Sequence, residues 1–289
     1  MMGKNNFDIH DDELRIVGQK TLLSESKKPK SRKYTWIAVL ALAVLVFISA
    51  ALFLFDKPVS SPVYEADKQD TLPPLGHYTD TLVEKAYVEH LQDSINDIPL
   101  DIYIPHHALP ELYMGVPDEQ DESIVFATRA ADVRADNGKI VGAFVLKGRP
   151  LSWGLSKKGY AGIIDGKLNI GVAENSPLFE EATEKEGYFF RQYPLVDNGV
   201  MIENEPKGKA IRKALCERNG EMMVVMSRTQ ESFHDFAQAL ADMQIDNAIY
   251  LVGTKSFGFY RDYQQALHII YPHPGDAFQN ENYLLWRTK

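Results

Sequence analysis

The residue types that most often carry out chemistry in proteins do not form a recognisable catalytic pattern in this 289-residue sequence. His106 and His107 are neighbours, so in an extended strand they point to opposite faces and cannot bind one metal ion together. His234, His268 and His273 also lack the spacing of a zinc signature. No known catalytic motif surrounds Ser152, Ser227, Ser256 or Cys216. The sequence therefore predicts neither a metal site nor a bound cofactor.

Three carboxylates, Asp197, Glu203 and Glu205, lie close together in the second half of the chain. A protonated carboxyl group at this point could act as the general acid in the cleavage of a sugar linkage. Asp197, however, precedes Asn198-Gly199, and an Asp in such a turn commonly hydrogen-bonds to the backbone. A role in the turn is therefore the favoured interpretation, and catalysis by Asp197 is the alternative.

A β-α-β pattern near the C-terminus predicts where a ligand would bind. Residues 222–227 and 248–252 are apolar runs typical of buried strands, and residues 232–243 between them have helical spacing. Two such strands run parallel and are joined by a right-handed crossover. Ligands of α/β folds gather beyond the carboxyl ends of the strands, which predicts a site at residues 253–256.

The middle of the domain is predicted to be antiparallel sheet. The pairs Asp165-Gly166, Asn198-Gly199 and Asn219-Gly220 each separate two strand-like runs, and such pairs accept the positive backbone angles of a tight hairpin. β-branched and aromatic residues predict further strands at residues 101–104, 124–128 and 140–146. The fold class is thus α/β (α+β), with a mixed sheet, antiparallel hairpins and a C-terminal β-α-β unit.

One helix is predicted at the start of the domain. Thr81 and Glu84 form a capping-box pattern, and apolar residues recur near helical spacing as far as Asn96.

A single membrane-spanning helix is predicted near the N-terminus. Residues 34–55 carry no formal charge, and a helix of that length extends about 33 Å, which is enough to cross the hydrocarbon core of a bilayer. Five of the seven residues at 27–33 are Lys or Arg, and the positive flank of a span stays inside. We therefore expect a single-pass protein of the cytoplasmic (inner) membrane, with its N-terminus inside and its main domain extracytoplasmic, in the periplasm.

The span divides the chain into a cytoplasmic tail (1–33), the transmembrane helix (34–55), a proline-containing stalk (56–74) and one extracytoplasmic domain (75–289). The whole chain has a net charge of −9. The tail holds eight Lys or Arg and five Asp or Glu, so the remaining residues, with 23 against 35, have a net charge of −12. This acidity disfavours nucleic acid as a partner, although it leaves room for a local basic pocket.

The segments FATRAADV, KKGYAGIIDGKLNIG and DFAQALADMQIDNAIYLVGTKSFGFY follow one another within roughly residues 123–261, and in this order they resemble the phosphodiester glycosidase family. FATRAADV resembles the family's opening strand and its Asn-Ala-Gly-Phe-Phe-like turn, and KKGYAGIIDGKLNIG resembles its Phe-Gly-Ile hairpin. IVGAFVLKGRPL, YPLVDNGVMIE and KAIRKALCERNGEMMVVMS resemble further family segments. DFAQALADMQIDNAIYLVGTKSFGFY is similar to the family's helix and its Asn-Ala-hydrophobic-x-Leu-Asp-Gly-Gly-Gly-Ser strand end.

The departures from the family pattern fall on polar positions. Val252 stands where the family has the strand-end Asp, and Arg129 where it has the first Asn; Thr254 and Lys255 replace two of the three glycines. Cleavage of a sugar linkage needs a carboxyl acid and a second group that stabilises positive charge or directs water. A valine can supply neither, so the chain either recruits another carboxylate or is a pseudoenzyme.

The resemblance implies a membrane-anchored protein that hydrolyses or recognises sugar-phosphodiester linkages in cell-envelope or glycan material. The alternative is a catalytically inactive protein that binds a sugar phosphate or an envelope partner. The candidate ligand-binding residues are Arg129, Arg212, Gly253, Thr254 and Ser256. Arg212 lies near the family's Arg, and an arginine there could pair with a phosphate through two parallel hydrogen bonds.

Overall fold

The structure of the protein is a computed structural model that describes residue 75 and residues 85–253, 255–275 and 279–289. The predicted cytoplasmic tail, membrane span and stalk lie outside the described residues. No helix in the described part of the chain is long and apolar enough to cross a membrane.

Strands dominate the described residues, which contain two helices, α1 (Leu178–Glu184) and α2 (Phe233–Asp242). In chain order the strands are β1 (Tyr87–Ile95), β2 (Ile98–His106), β3 (Ala108–Met114), β4 (Ile124–Arg129), β5 (Ala143–Leu146), β6 (Arg149–Trp153), β7 (Gly159–Ile164), β8 (Lys167–Val172), β9 (Tyr188–Gln192), β10 (Pro194–Asp197), β11 (Val200–Met201), β12 (Ala210–Arg218), β13 (Glu221–Glu231), β14 (Asn247–Leu251), β15 (Gly258–Arg261), β16 (Leu267–Tyr271) and β17 (Asn282–Thr288).

The strands form three sheets. Sheet A has the order β1-β2-β13-β12-β14-β10-β11, sheet B the order β16-β15-β4-β17-β3, and sheet C the order β6-β5-β9-β7-β8. Neighbouring strands pair antiparallel in all three sheets. The structure therefore combines helices and sheets as expected, but it consists mostly of antiparallel sheet.

Sheet A is covered on both faces. On one face, residues such as Val225 pack with Leu240 of α2 in one buried cluster. On the other face, Leu215 packs in a second cluster with Phe126 of sheet B and Phe190 of sheet C. A polar side chain in a central strand of sheet A must therefore find its hydrogen-bond partners within the protein.

The three predicted hairpins are confirmed. Asp165-Gly166 joins β7 to β8, Asn198-Gly199 joins β10 to β11, and Asn219-Gly220 joins β12 to β13. Both residues of each pair have positive φ, from 49° at Asn198 to 78° at Gly220. Asx-Gly pairs adopt this conformation at low energetic cost, so the hairpins can be predicted from the sequence.

The predicted β-α-β unit is also present, as β13, α2 and β14. The side chain of Ser232 caps α2 by accepting a hydrogen bond from the backbone N–H of Asp235 at 2.9 Å. Strands β13 and β14 run parallel, because each pairs antiparallel with β12, which lies between them.

The prediction of a helix at the start of the domain is wrong. Its described part is the strand β1, which pairs with β2 over its full length, from Tyr87 opposite His106 to Ile95 opposite Ile98. Asn96 and Asp97 connect the two strands with φ values of 51° and 63°. Pairing with a partner strand outweighed the helical spacing of a few apolar residues. Thr81 and Glu84 lie outside the described residues.

Candidate functional site

The segment that follows β14 is more enclosed than the sequence led us to expect. Gly253 is buried, and its N–H donates to the Tyr250 hydroxyl at 3.2 Å. A Cβ atom at Gly253 would lie 2.3 Å from the carbonyl oxygen of Ile211, so this glycine allows two backbones to approach closely. Ser256 is half-buried, and its hydroxyl donates to the Val252 carbonyl at 2.8 Å. Thr254 lies outside the described residues.

Arg212 lies on the helix-covered face of sheet A. Its Nε donates to the Glu231 carbonyl at 2.8 Å and its Nη2 to the Gly208 carbonyl at 2.6 Å. The guanidinium also lies 4.1 Å above the centre of the Phe233 ring, at the start of α2. These contacts tie β12 to the segments around α2. A ligand role for Arg212 remains a prediction, and a phosphate would have to compete with two backbone carbonyls for the guanidinium.

Lys213, the next residue, points to the opposite face of sheet A. Successive side chains of a strand alternate, so Lys213 shares the inner face with Leu215, while Arg212 shares the outer face with Ala214. The Lys213 ammonium donates to the Thr128 hydroxyl at 2.9 Å and to the Ser256 hydroxyl at 3.2 Å. The structure thus brings Lys213 to Ser256, which the sequence did not suggest.

The environment of Lys213 disfavours its positive charge. Only 1% of the residue is exposed, and no described carboxylate forms an ion pair with it. Burial, together with the positive charge of nearby Arg129, lowers the pKa of Lys213 to about 7. An anion at this position would favour the charged form.

Arg129 lies at the end of β4 and is also buried, with 8% of the residue exposed. Its Nη1 donates to Oε1 of Glu281 at 2.8 Å, and the same oxygen accepts a hydrogen bond from the Tyr283 hydroxyl at 2.7 Å. Burial and the Glu281 carboxylate raise the pKa of Tyr283, so this hydroxyl stays protonated as a donor. The Nε of Arg129 has no hydrogen-bond partner within the part of the chain that is described.

Arg129 forms part of the wall of a cavity of about 550 Å³. The turn at residues 133–138 and Gln279 form the rest of the described wall. Within this wall, Arg134 donates through Nε and Nη2 to the two carboxylate oxygens of Asp136, each at 3.0 Å. The charges of Arg134 and Arg129 are matched by Asp136 and Glu281, so what the described wall still offers a ligand is the unpartnered Nε of Arg129.

A carboxylate that the sequence did not single out, Asp132, lies close to the end of β14. The carbonyl of Ala130, two residues earlier, accepts a hydrogen bond from the Val252 N–H at 3.4 Å. The Asp132 carboxylate pairs with the buried ammonium of Lys157, which also donates to Gln192 at 2.9 Å. Burial, together with the Asp132 charge, raises the pKa of Tyr193. Burial and, to a smaller extent, the Asp132 charge also raise the pKa of Tyr250, so the Asp132 carboxylate lies near the last residues of β14.

The carboxylates predicted from the sequence lie elsewhere. Asp197 ends β10, beside the amino end of β14, and accepts a hydrogen bond from Asn198 at 3.0 Å. It therefore lies at the opposite end of β14 from Gly253, and the hydrogen bond that it accepts comes from the Asn198 side chain rather than from the backbone. Glu203 pairs with Nδ1 of His234 at 2.6 Å, and Glu205 is exposed. Among the described side chains, no group of three or more could hold a metal ion.

Comparison with known proteins supports a remote relationship through the fold. No family model and no curated protein sequence matches the chain. The catalytic domain of zebrafish N-acetylglucosamine-1-phosphodiester alpha-N-acetylglucosaminidase, in a form auto-inhibited by its pro-peptide, is similar in structure, with a TM-score of 0.53 and 11% identity over 74% of this chain and 86% of that chain. A hypothetical protein from Synechocystis has a TM-score of 0.52 and 13% identity over 70% of this chain and 62% of that chain. At these identities the comparison concerns the fold alone.

Replacing Lys213 and Arg212 separately with Met should change stability in opposite directions. Lys213→Met removes a buried ammonium without a carboxylate partner, so we expect it to be neutral or stabilising at pH 7, by up to roughly 3 kcal/mol. Arg212→Met leaves the buried Glu231 carbonyl without its donor and removes the hydrogen bond to Gly208, so it should destabilise the domain by about 2 kcal/mol. Urea unfolding of the full-length protein, followed by near-UV circular dichroism, measures both changes.

The effect of Lys213→Met should also depend on pH. The pKa of Lys213 is about 7 in the folded protein, whereas the ordinary value of 10.5 applies to the unfolded chain. Between these two pH values, Lys213 is therefore more often protonated in the unfolded chain than in the folded protein. Wild-type stability therefore gains from this residue as the pH rises from about 7 to about 10, and the advantage of Lys213→Met shrinks. Arg212→Met should show the same difference from wild type at pH 7 and 9.5. If Lys213→Met were more stable than wild type by the same free energy at both pH values, the lowered pKa of Lys213 would be contradicted.

Proposed function

We propose that this domain recognises a sugar-phosphodiester ligand and that Arg129 holds its phosphate in the adjoining cavity. The observation that carries the proposal is that Arg129 borders the cavity while its buried Nε has no acceptor among the described residues. A buried donor without a partner is costly, and an oxygen of a bound ligand would satisfy it.

A phosphate fits this position for geometric reasons. Arginine presents its donors in a planar fork that matches two oxygens of a phosphate. One branch of the Arg129 fork already holds Glu281, which fixes the plane of the guanidinium and leaves the Nε edge for the ligand. The nearby Lys213 ammonium adds positive potential from the inner face of sheet A, although the domain as a whole is acidic.

Recognition is better supported than hydrolysis. The position at the end of β14 that carries an Asp in the resembling family holds Val252 in this chain. Asp132 approaches this strand end, but its carboxylate is already held in an ion pair with the Lys157 ammonium rather than aimed at a leaving group. An intact sugar phosphodiester is therefore the ligand that we propose, and the remote likeness to a phosphodiester glycosidase domain is consistent with this class.

Arg129→Lys should weaken binding of N-acetylglucosamine 1-phosphate and of its methyl phosphodiester by at least about tenfold, because the charge remains while the planar fork is lost. Lysine still offers Glu281 a cation, so the domain should stay folded. Isothermal titration calorimetry on the full-length protein measures the affinity, and circular dichroism checks the fold.

Arg134→Gln is the matched control for this experiment. It changes a second arginine of the same cavity wall, whose Nε and Nη2 are already held by Asp136, so affinity should fall by no more than about threefold. Equal losses in the two variants would indicate a general effect of charge. If a folded Arg129→Lys protein kept wild-type affinity, or if the wild type bound neither compound, the proposal would be wrong.

Hydrolysis is a second candidate, because Asp132 places a carboxylate near the strand end. The Asp132 side chain could stabilise positive charge at the sugar carbon. If the protein is an enzyme of this kind, incubation with the methyl phosphodiester should release free N-acetylglucosamine, and Asp132→Asn should lower the rate by at least about a hundredfold without a similar loss of affinity. Wild-type protein that binds the compound and releases no sugar would exclude this candidate.

We further propose that the domain is presented on the outer side of the cytoplasmic membrane by the segment at residues 34–55. The support is the uncharged run and the basic residues before it. The full-length protein should stay in the membrane fraction after an alkaline carbonate wash, and a chain that lacks residues 1–55 should be released. Release of the full-length protein would contradict the anchor.

A further inference from the structure

A second cavity, of about 480 Å³, lies beside sheet C and has an unusual combination of walls. Trp153, at the end of β6, and Leu155, just after it, form part of its rim with 67% and 66% of each residue exposed. Pro177 and Phe179, around the start of α1, form another part of the wall. A large aromatic ring exposed to this degree beside a concave surface is a typical feature of a binding site.

Arg191 of β9 adds a buried polar group to this cavity. Only 2% of the residue is exposed, and its two terminal nitrogens donate to backbone carbonyls of the two flanking loops: Lys157 at 3.1 Å, Ala173 at 2.8 Å and Glu174 at 2.7 Å. Its Nε has no acceptor in the described residues. The guanidinium therefore holds both loops in place, while its enclosed Nε is left without an acceptor among the residues described.

The remaining polar side chains of the wall can make hydrogen bonds from the rim. Asn175 and Glu180 are exposed there, and Asn175 offers both a donor and an acceptor. The cavity thus joins an exposed indole, a buried donor without a partner, and rim groups of both hydrogen-bonding kinds.

We propose that this cavity binds a neutral sugar unit, stacked on the Trp153 ring and accepting a hydrogen bond from Arg191. A pyranose ring has an apolar C–H face that fits an indole, ring and hydroxyl oxygens that accept from a buried N–H, and hydroxyl groups that pair with Asn175 and Glu180. We propose a neutral glycan rather than an anion for two reasons. The rim carries a carboxylate, which would repel an anion. The terminal nitrogens of Arg191, which could otherwise bind an anion, already donate to backbone carbonyls.

Insertion of Trp153 and Leu155 into a bilayer surface would be another reason for their exposure. The acidic residues of α1 oppose this arrangement, since Glu180 and Glu181 lie in its first turn and would approach an anionic lipid surface. Hydrocarbon chains in the cavity would also leave the buried Nε of Arg191 without an acceptor. The glycan is therefore the occupant that we propose, and the bilayer is an outcome of the test.

The inference is independent of the phosphate site. Arg191 and Trp153 belong to sheet C, whereas Arg129 belongs to sheet B, and a neutral glycan contains no phosphate. Loss of binding at one site therefore leaves the other testable.

The test uses the full-length protein in lipid nanodiscs, in a Trp36→Phe background, titrated with maltotriose, cellotriose and the trimer of N-acetylglucosamine. Of the two tryptophans that remain, Trp286 is buried with 3% exposed, so a change in fluorescence on titration reports Trp153. We expect at least one of the three glycans to change this emission. Trp153→Ala should weaken its binding, measured by calorimetry, about tenfold or more, because the stacking ring is lost.

Two matched variants separate stacking from general apolar contact. Trp153→Phe keeps a ring and should retain affinity within about threefold, and Leu155→Ala removes an equally exposed apolar side chain and should also stay within about threefold. Binding that Trp153→Ala leaves unchanged, or no binding of any of the three glycans, would overturn the proposal. Quenching of Trp153 emission by brominated phosphatidylcholine in the nanodisc, without glycan binding, would overturn it in favour of bilayer contact.

Discussion

The two covered faces of sheet A determine how this domain accommodates charge. Strand β12 lies in the interior of that sheet, with α2 on one side and sheets B and C on the other. Arg212 and Lys213 are neighbours in β12 and are therefore buried on opposite sides. Arg212 is satisfied by two backbone carbonyls and an aromatic ring, whereas Lys213 has two hydroxyl groups. The first arrangement stabilises the fold, and the second leaves a charge that an anion would stabilise.

The buried arginines follow one physical rule. Five donors in a rigid plane are difficult to satisfy together inside a packed domain. Arg212 has its Nε held by a carbonyl, whereas in Arg129, Arg191, Arg218 and Arg261 the Nε is left without a partner among the described residues. Of these four arginines, Arg129 and Arg191 border the two cavities described above. A ligand site requires hydrogen-bonding groups in a cavity wall that the protein itself leaves unpaired. These two arginines supply such groups, although the end of β14 carries no catalytic carboxylate.

The parts of the fold that could be predicted from the sequence depend on short-range chemistry. Asp165-Gly166 forms a hairpin because those two residues accept positive φ, and Ser232 caps α2 because its hydroxyl reaches an N–H three residues away. The prediction failed at β1, where pairing with β2 outweighed a helical pattern. Among the candidate site residues, Arg129 was named from the sequence, but the cavity beside it was not predicted. Lys213 and Asp132 were missed because their significance depends on Ser256, Lys157 and Val252, which are distant in sequence.

The sequence by itself determined the hairpins, the β-α-β order and the absence of an acid at Val252, since each depends on residue identity and local spacing. Only the tertiary structure decided which of two adjacent cations in β12 faces Ser256. A shift of one residue in a strand reverses the face, and both faces of sheet A are apolar, so the pattern of β12 does not reveal its inner side. Burial, which lowers the pKa of Lys213 and leaves donors of Arg129 and Arg191 unmatched, is likewise a property of packing between strands from distant parts of the chain.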